Sequence, residues 1–466
     1  MSSLHELSAA QMSALYRAGS ASPVEVVTQV IAHIERWEPR LCALYAFDPE
    51  GALQAARESQ ARWHQGAPRS ALDGVPVTIK ENTATRGVPV PAGTAATVLV
   101  PAAEDAPPSA RLREAGCVIL GKTTMPDYGM LTSGLSSFHH LSRNPWNLDH
   151  NPGGSSAGAA AAAAAGYGPL HLGTDIGGSI RLPAGLCGIF GLKPSLGRIP
   201  IKPPYAGRVA GPMTRTVTDA ALMMAELSKP DWRDTMSLPW QDLAWGDVDQ
   251  PLDSLKGLRL ALLLDAGWGL KPDEETLAAV QAAARTFESY GAHVELIAPF
   301  TTREMIDGLD RFWRMRSYLD MTALPAERQA KVLPYIRQWV STGATLTAAE
   351  VFHGYSQMGA IREAAVAACQ PFDFVLSAVN PVPAYPADWA SPINDPMRPF
   401  EHIAFTLPYN MSEQPAASID CGFTRSGSPI GLQIAGRRHD DVGVMRLARA
   451  WERLRPAPRP WPQPAR

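Results

Sequence analysis

Asn151-Pro-Gly-Gly-Ser-Ser-Ala-Gly158 runs into an unbroken alanine tract, Ala159 to Ala165, and the segment closes on Gly173-Thr-Asp-Ile-Gly-Gly-Ser-Ile-Arg181. Two glycine–serine clusters thus flank one short helix, Ser156 to Gly166, and one short strand, Leu170 to Ile176. Glycine lets backbone approach a ligand closely and adopt dihedrals that other residues avoid. A serine beside such glycines is either a turn residue or a nucleophile set among backbone N–H donors. The surrounding chain decides between the two.

Upstream, Val75-Pro-Val-Thr-Ile79 is a β-branched strand leading straight into Lys80 and Glu81. A helix from Pro107 to Ala115 stops at Gly116, a strand follows over Cys117 to Leu120, and Gly121 to Thr124 reads as a loop. Gly188 to Leu192 reads as a further strand. Nearer the N-terminus, Ser8 with Gln11, and Ser22-Pro23 with Glu25, carry helix-start signals. Leu41 to Phe47 reads as a strand and Pro49 to Gln65 as a helix. Alternation of strands and helices predicts an α/β fold, a mainly parallel or mixed sheet packed with helices.

Downstream, Pro230 to Asp253 has little periodicity and reads as a surface connection. Strands at Leu258 to Leu264 and His293 to Ala298 bracket a helix from Glu274 to Tyr290, and Met305 to Cys369 is mostly helical. Phe372 to Val379 is a strand feeding a proline-laden segment, Asn380 to Pro408. A segment that long without regular structure is usually a lid or a binding loop. Ala416 to Phe423 and Ile430 to Ala435 form a strand pair around Ser426-Gly427, Val442 to Leu454 is a closing helix, and the tail from Pro456 is expected to fray.

The 466 residues are 45% hydrophobic and 19% charged, a globular composition with ample length for a large core. With 42 basic against 45 acidic residues and no basic block, a nucleic-acid role has no electrostatic footprint. The five cysteines are widely spaced with no C-x-x-C, which fits reduced thiols better than disulfides or a zinc site. Neither a signal peptide nor a membrane-length apolar run is present, so a cytoplasmic protein with no membrane partner is expected.

Three chemical readings compete. Gly116 to Thr123 satisfies G-x-x-x-x-G-K-[ST], but its variable positions are the apolar strand Cys117-Val-Ile-Leu120, where a phosphate loop needs a turn. The match is read as coincidence, with Lys122 an ordinary loop lysine. Gly154-Ser-Ser-Ala-Gly158 matches G-x-S-x-G with Ser156 central, yet no strand enters it, and His439 as its base has no assigned place. The third reading joins both clusters to Lys80, because a desolvated neutral lysine can activate a serine. Lys80 ends an apolar strand, which would bury its amine; the plain alternative is that it reaches back to solvent.

Here the residues carry a resemblance. Val77-Thr-Ile-Lys80-Glu-Asn82, Gly121-Lys-Thr-Thr-Met125, Arg143-Asn-Pro-Trp146, Pro152-Gly-Gly-Ser-Ser156, Gly173 to Arg181, Gly191-Leu-Lys-Pro194 and Gly211-Pro-Met213 resemble the amidase signature family of serine hydrolases. The likeness runs from about Leu72 to Leu227 and returns over Phe372 to Glu452. It implies one amidase domain over 1–466: N-terminal helices to 66, a signature core over 72–227, a variable helical region over 230–370, and the rest of the sheet over 371–455. It also implies the amidase signature fold, with helices on both faces of the sheet, and a Ser–cis-Ser–Lys triad. Lys80 would be the base, Ser155 the bridging serine on a cis peptide bond, and Ser179 the nucleophile. Ile176, Gly177, Gly178 and Ser179 would line the oxyanion hole, with Ser156, Asp175 and Arg181 in support. No metal or other cofactor is implied.

Three positions depart from the family pattern: Glu81 where aspartate is usual, Ala157 for a common glycine, and Asp420 for a common proline. The implied activity is hydrolysis of a small-molecule carboxylic amide through an acyl-enzyme. The alternative is the glutamine-hydrolysing component of a tRNA-dependent amidotransferase. A homodimer is left open. Phe312, Trp313, Tyr318, Tyr385, Trp389 and Phe400 are candidates for an acyl pocket.

Overall fold

Side chains alternate along the strands between two separate cores, and that alternation sets the layers. In a computed structural model describing residues 3–250, 254–457 and 459–464, eleven strands form one mixed sheet. They are β1 (Leu44–Tyr45), β2 (Pro76–Lys80), β3 (Val118–Thr123), β4 (Leu170–Asp175), β5 (Phe190–Lys193) and β6 (Val209–Thr214). The remainder are β7 (Arg259–Leu263), β8 (His293–Leu296), β9 (Phe374–Ala378), β10 (Ala416–Phe423) and β11 (Pro429–Gly436). Their order is β1-β3-β2-β4-β6-β5-β10-β11-β9-β7-β8.

Leu260 and Leu262 of β7, Leu376 of β9 and Leu432 of β11 join a core shared with the helices Glu274–Ser289 and Asp441–Leu454. Ala261, Leu263, Val375 and Ala435, the intervening positions, join another core with the helices Arg303–Thr322 and Ala348–Cys369. Period-two side chains that are apolar on both sides require cover on both faces. The expected α/β sandwich of helices on a mixed sheet is the fold observed.

The capping boxes at Ser8 and Ser22 both form, starting the helices Ala9–Ala18 and Pro23–Leu41. The alanine helix, Ala157–Ala165, is buried on every side. Ala161, Ala162 and Ala165 face the core of β2 and β4, while Ala159, Ala160, Ala163 and Ala164 pack with Ile180 and Ala184. A helix apolar all round is a buried helix, and methyl side chains let it sit close to both neighbours.

Several expectations need correction. Gly121, Lys122 and Thr123 continue β3 and are not a loop. Lys122 is 1% exposed, with its amine donating to the Thr83 carbonyl and to Thr85 Oγ1. The strand expected over 41–47 shrinks to β1, because the helix Pro23–Leu41 runs on to Leu41. The tail does not fray over its described residues: Arg215 lies 4.5 Å over the Trp461 ring, and Arg459 lies 4.5 Å over Phe423. Of the 230–253 connection, residues 251–253 lie outside the described residues, and the rest holds a buried Trp245. Among the described residues, no helix is long and apolar enough to cross a membrane.

Candidate active site

Strands β2 and β4 run parallel and pair Ile79 with Leu172, so their C-terminal ends open on the same edge of the sheet. Ligands in open α/β sheets bind at that edge. Lys80 ends β2 there, and Asp175 ends β4. Lys80 is wholly buried, and its Nζ donates to Ser155 Oγ at 2.8 Å and to Ser156 Oγ at 3.0 Å. Both expected serines of the first cluster therefore meet the lysine from upstream. The Gly154–Ser155 peptide bond is cis, as the resemblance implies.

Burial, followed by the positive charge of Arg208, brings the Lys80 amine down to about 7 against the opposing pull of Asp175 and Glu81. Lys122 and Lys193 are brought down to about 7 as well. Lys193 donates to the Pro194 carbonyl at 2.8 Å, and Lys122 is held at Thr83 and Thr85. Neither reaches a serine, so geometry and not basicity singles out Lys80. Ser156 Oγ donates to the Thr174 carbonyl at 3.1 Å and accepts from Thr174 N–H at 3.2 Å. It is held by backbone on one side and lysine on the other. His439, the base of the elbow reading, is exposed ahead of the helix Asp441–Leu454 and makes no bond to buried Ser156 among the described residues. The elbow is not assembled.

The second cluster turns on a buried ion pair. Asp175 and Arg181 side chains are both 0% exposed and meet at 3.1 Å. Burial opposes ionisation of Asp175, but the charge and hydrogen bonds of Arg181, with that of Asn410, outweigh it and hold the carboxyl below its usual range. Arg181 also donates to the Thr406 carbonyl and Gln433 Oε1, tying the loop to the C-terminal part of the chain. Asp175 Oδ1 accepts the Gly178 N–H at 2.8 Å. That expected oxyanion donor is thus engaged by the carboxylate of its own loop in this structure. Gly178 has φ +130°, and a Cβ there would stand 2.5 Å from Thr406 Oγ1, so only glycine fits.

Ile176, Gly177 and Ser179 line a cleft of about 610 Å³, its open mouth included. The Ser179 carbonyl accepts the Ser156 N–H at 3.2 Å. Among the described residues, no hydrogen bond joins the Ser179 hydroxyl to Ser155. Of the six candidate aromatics, Trp313 and Phe400 line the cleft, meeting edge to face at 5.4 Å. Phe312 packs on Tyr355 instead, Tyr385 is buried against the Thr132 carbonyl, and Tyr318 and Trp389 lie off the cleft wall. Trp339, Arg316 and His402 line it without any sequence signal. Only His402 falls in a stretch, Asn380 to Pro408, marked as a binding loop. The three departures are absorbed locally: Glu81 meets His139 at 3.0 Å, Asp420 pairs with Arg455, and Ala157 opens the alanine helix.

The family model "Amidase" matches residues 25–445. The chain belongs to the amidase family. An amidase of this family acts on carbon–nitrogen bonds, and among its relatives is a glutamyl-tRNA(Gln) amidotransferase subunit of Myxococcus xanthus, 36% identical over 97% of each chain. An acylamidase of Rhodococcus erythropolis is 33% identical over 97% of this amidase and 96% of its own length. The crystal structure of a bacterial aryl acylamidase of the amidase signature family superposes with a TM-score of 0.88 at 30% identity, covering 97% and 96% of the two chains.

Proposed function

We propose that this amidase is a stand-alone hydrolase that cleaves R–CO–NH–R′ with water to the acid and the amine, using Ser179 as nucleophile and Ser155 and Lys80 as proton relay. The observation that carries the reading is the buried 2.8 Å contact from Lys80 to Ser155 beside the glycine loop of Ser179. Ser179 Oγ attacks the amide carbonyl as its proton passes to Ser155 and the Ser155 proton passes to neutral Lys80. The oxyanion meets the N–H groups of Ile176, Gly177 and Ser179, donors of a kind worth ~2.7–4 kcal/mol each in a transition state. Ser155 then returns a proton to the leaving nitrogen, and water releases the acid by the same relay in reverse. Ser156, Asp175 and Arg181 hold the parts in register.

The likeness to the Myxococcus xanthus protein supports a second reading, glutamine hydrolysis within an amidotransferase. Against it, among the described residues no aspartate or glutamate lines the cleft to receive the ammonium of free glutamine. Glutaminase activity confined to a complex that co-purifies with partner proteins would favour that second reading.

A fluorophosphonate probe is expected to label Ser179, and Ser179→Ala to lower kcat by at least about 10⁴-fold. Lys80→Ala should slow labelling by about 10²–10⁴-fold, the usual share of a general base. Labelling that survives Ser179→Ala but disappears in Ser156→Ala would overturn the relay.

A further inference from the structure

Among the described residues, the cleft wall carries one guanidinium, that of Arg316, which has no part in the proposed relay. Trp313, Arg316 and Ser317, spaced i, i+3 and i+4 on the helix Arg303–Thr322, face it together. Arg316 Nε is buried with no hydrogen-bond partner, and so is the hydroxyl of Tyr205, whose ring lies 5.1 Å beneath the Arg316 guanidinium. The Arg208 N–H donates to the Tyr205 carbonyl at 3.0 Å. The pairing of Asp175 with Val209 sets Arg208 level with Ile176 in the glycine loop.

Arg208 is close enough to feel the like charge of Arg316, which adds to burial in lowering its affinity for a proton; no carboxylate opposes them. Among the described residues, neither guanidinium enters an ion pair. Two arginines and a phenol from two elements are therefore neighbours; Arg316 shares the cleft wall with Ser179, and its Nε and the Tyr205 hydroxyl have no acceptor among the described residues. Arginine has no acceptor atoms and binds planar oxyanions through paired donors. A guanidinium edge and a phenol hydroxyl side by side present the donors that a planar oxyanion accepts from.

We propose that the substrate is an amide carrying a carboxylate, seated on Arg316, Arg208 and Tyr205 while its amide carbonyl meets Ser179; the proposal rests on the reading of Ser179 as nucleophile. Among the described residues no acidic side chain lines the cleft, which narrows the class further. The substrate bears no ammonium group, which points to monoamides of dicarboxylic acids and away from free amino-acid amides.

The test compares monoamides of dicarboxylic acids, graded in length, with their methyl esters, reading amide cleavage as kcat/KM. The wild type should prefer the free acid by about 10–100-fold, as a charge-assisted hydrogen-bonded contact allows. That preference ratio should fall at least about tenfold in Arg316→Met and partly recover in Arg316→Lys. A ratio near one in the wild type, or one unchanged in both Arg316→Met and Arg208→Met, overturns the proposal.

A second arm does not depend on turnover. In Ser179→Ala, a dicarboxylate should raise the melting temperature, and adding Arg316→Met should abolish the rise. Loss of probe labelling with this shift intact would remove the nucleophile and leave the anion seat. Labelling intact with no shift would do the reverse.

Discussion

At the scale of single residues, Lys80 is the proposed base, and its titration is the most direct check. A base must be neutral, so the amine pulled down to about 7 by burial and by Arg208 works above that pH and is protonated below it. For an uncharged amide, kcat/KM should rise about tenfold per pH unit below 7 and level off above it. Removing the guanidinium in Arg208→Met takes away a charge that opposes protonation. Its acid limb should therefore move to higher pH, and a limb that stays put or moves down would sink the assignment. The meeting of Lys80 with Ser155 and Ser156 was legible in the sequence because the family resemblance carries these residues at matching motif positions. Arg208 and Arg316 were not, since nothing about an arginine in a helix of a variable region says which cleft it faces. The engagement of the Gly178 N–H by Asp175 is likewise visible only in the fold.

At the scale of elements, close packing around the alanine helix limits what substitution can do. A Cβ on Gly158 would lie 2.2 Å from the Ala43 carbonyl oxygen and 2.5 Å from the Thr124 nitrogen, both backbone atoms. Gly158→Ala should therefore destabilise by about 1–3 kcal/mol, as overpacking does, read as a lower denaturation midpoint. The glycine loop depends on its ion pair in the same way. Arg181→Met would leave Asp175 buried and uncompensated, at a cost of about 3–5 kcal/mol, and should also slow probe labelling of Ser179. A variant as stable and as reactive as the wild type would remove both arguments. Capped helices and apolar strands were readable from local pattern, whereas β6 was hidden by Gly211-Pro212. Proline argues against an interior strand, yet β6 lies between β4 and β5, whose ladder to it reaches only Met213. Lys122 misled likewise: a charged residue was read as a loop, although burial with two acceptors suits a strand.

At the scale of the whole molecule, strands from distant parts of the sequence alternate in the sheet: β5 pairs with β10, and β9 lies between β11 and β7. Arg181 reaches across the same boundary to Thr406 and Gln433. We infer that residues 1–466 act as one folding unit, since any cut would leave a sheet edge open within the interior. The tail reinforces this. Trp461 packs 6.0 Å from Trp146 and beneath Arg215, which itself caps the alanine helix through the Ala163 and Ala164 carbonyls. Gln463 reaches Glu6 at 3.2 Å, so the two ends of the described chain meet on the signature core. Deleting 456–466 removes one partly buried tryptophan and two cation–π contacts, together worth about 2–4 kcal/mol. Chemical denaturation followed by tryptophan fluorescence and by far-ultraviolet circular dichroism should show one coincident transition, moved to lower denaturant by the deletion. Two separated transitions in the full chain would break the single unit into parts, and an unmoved midpoint would show the tail to be the loose end its prolines suggest.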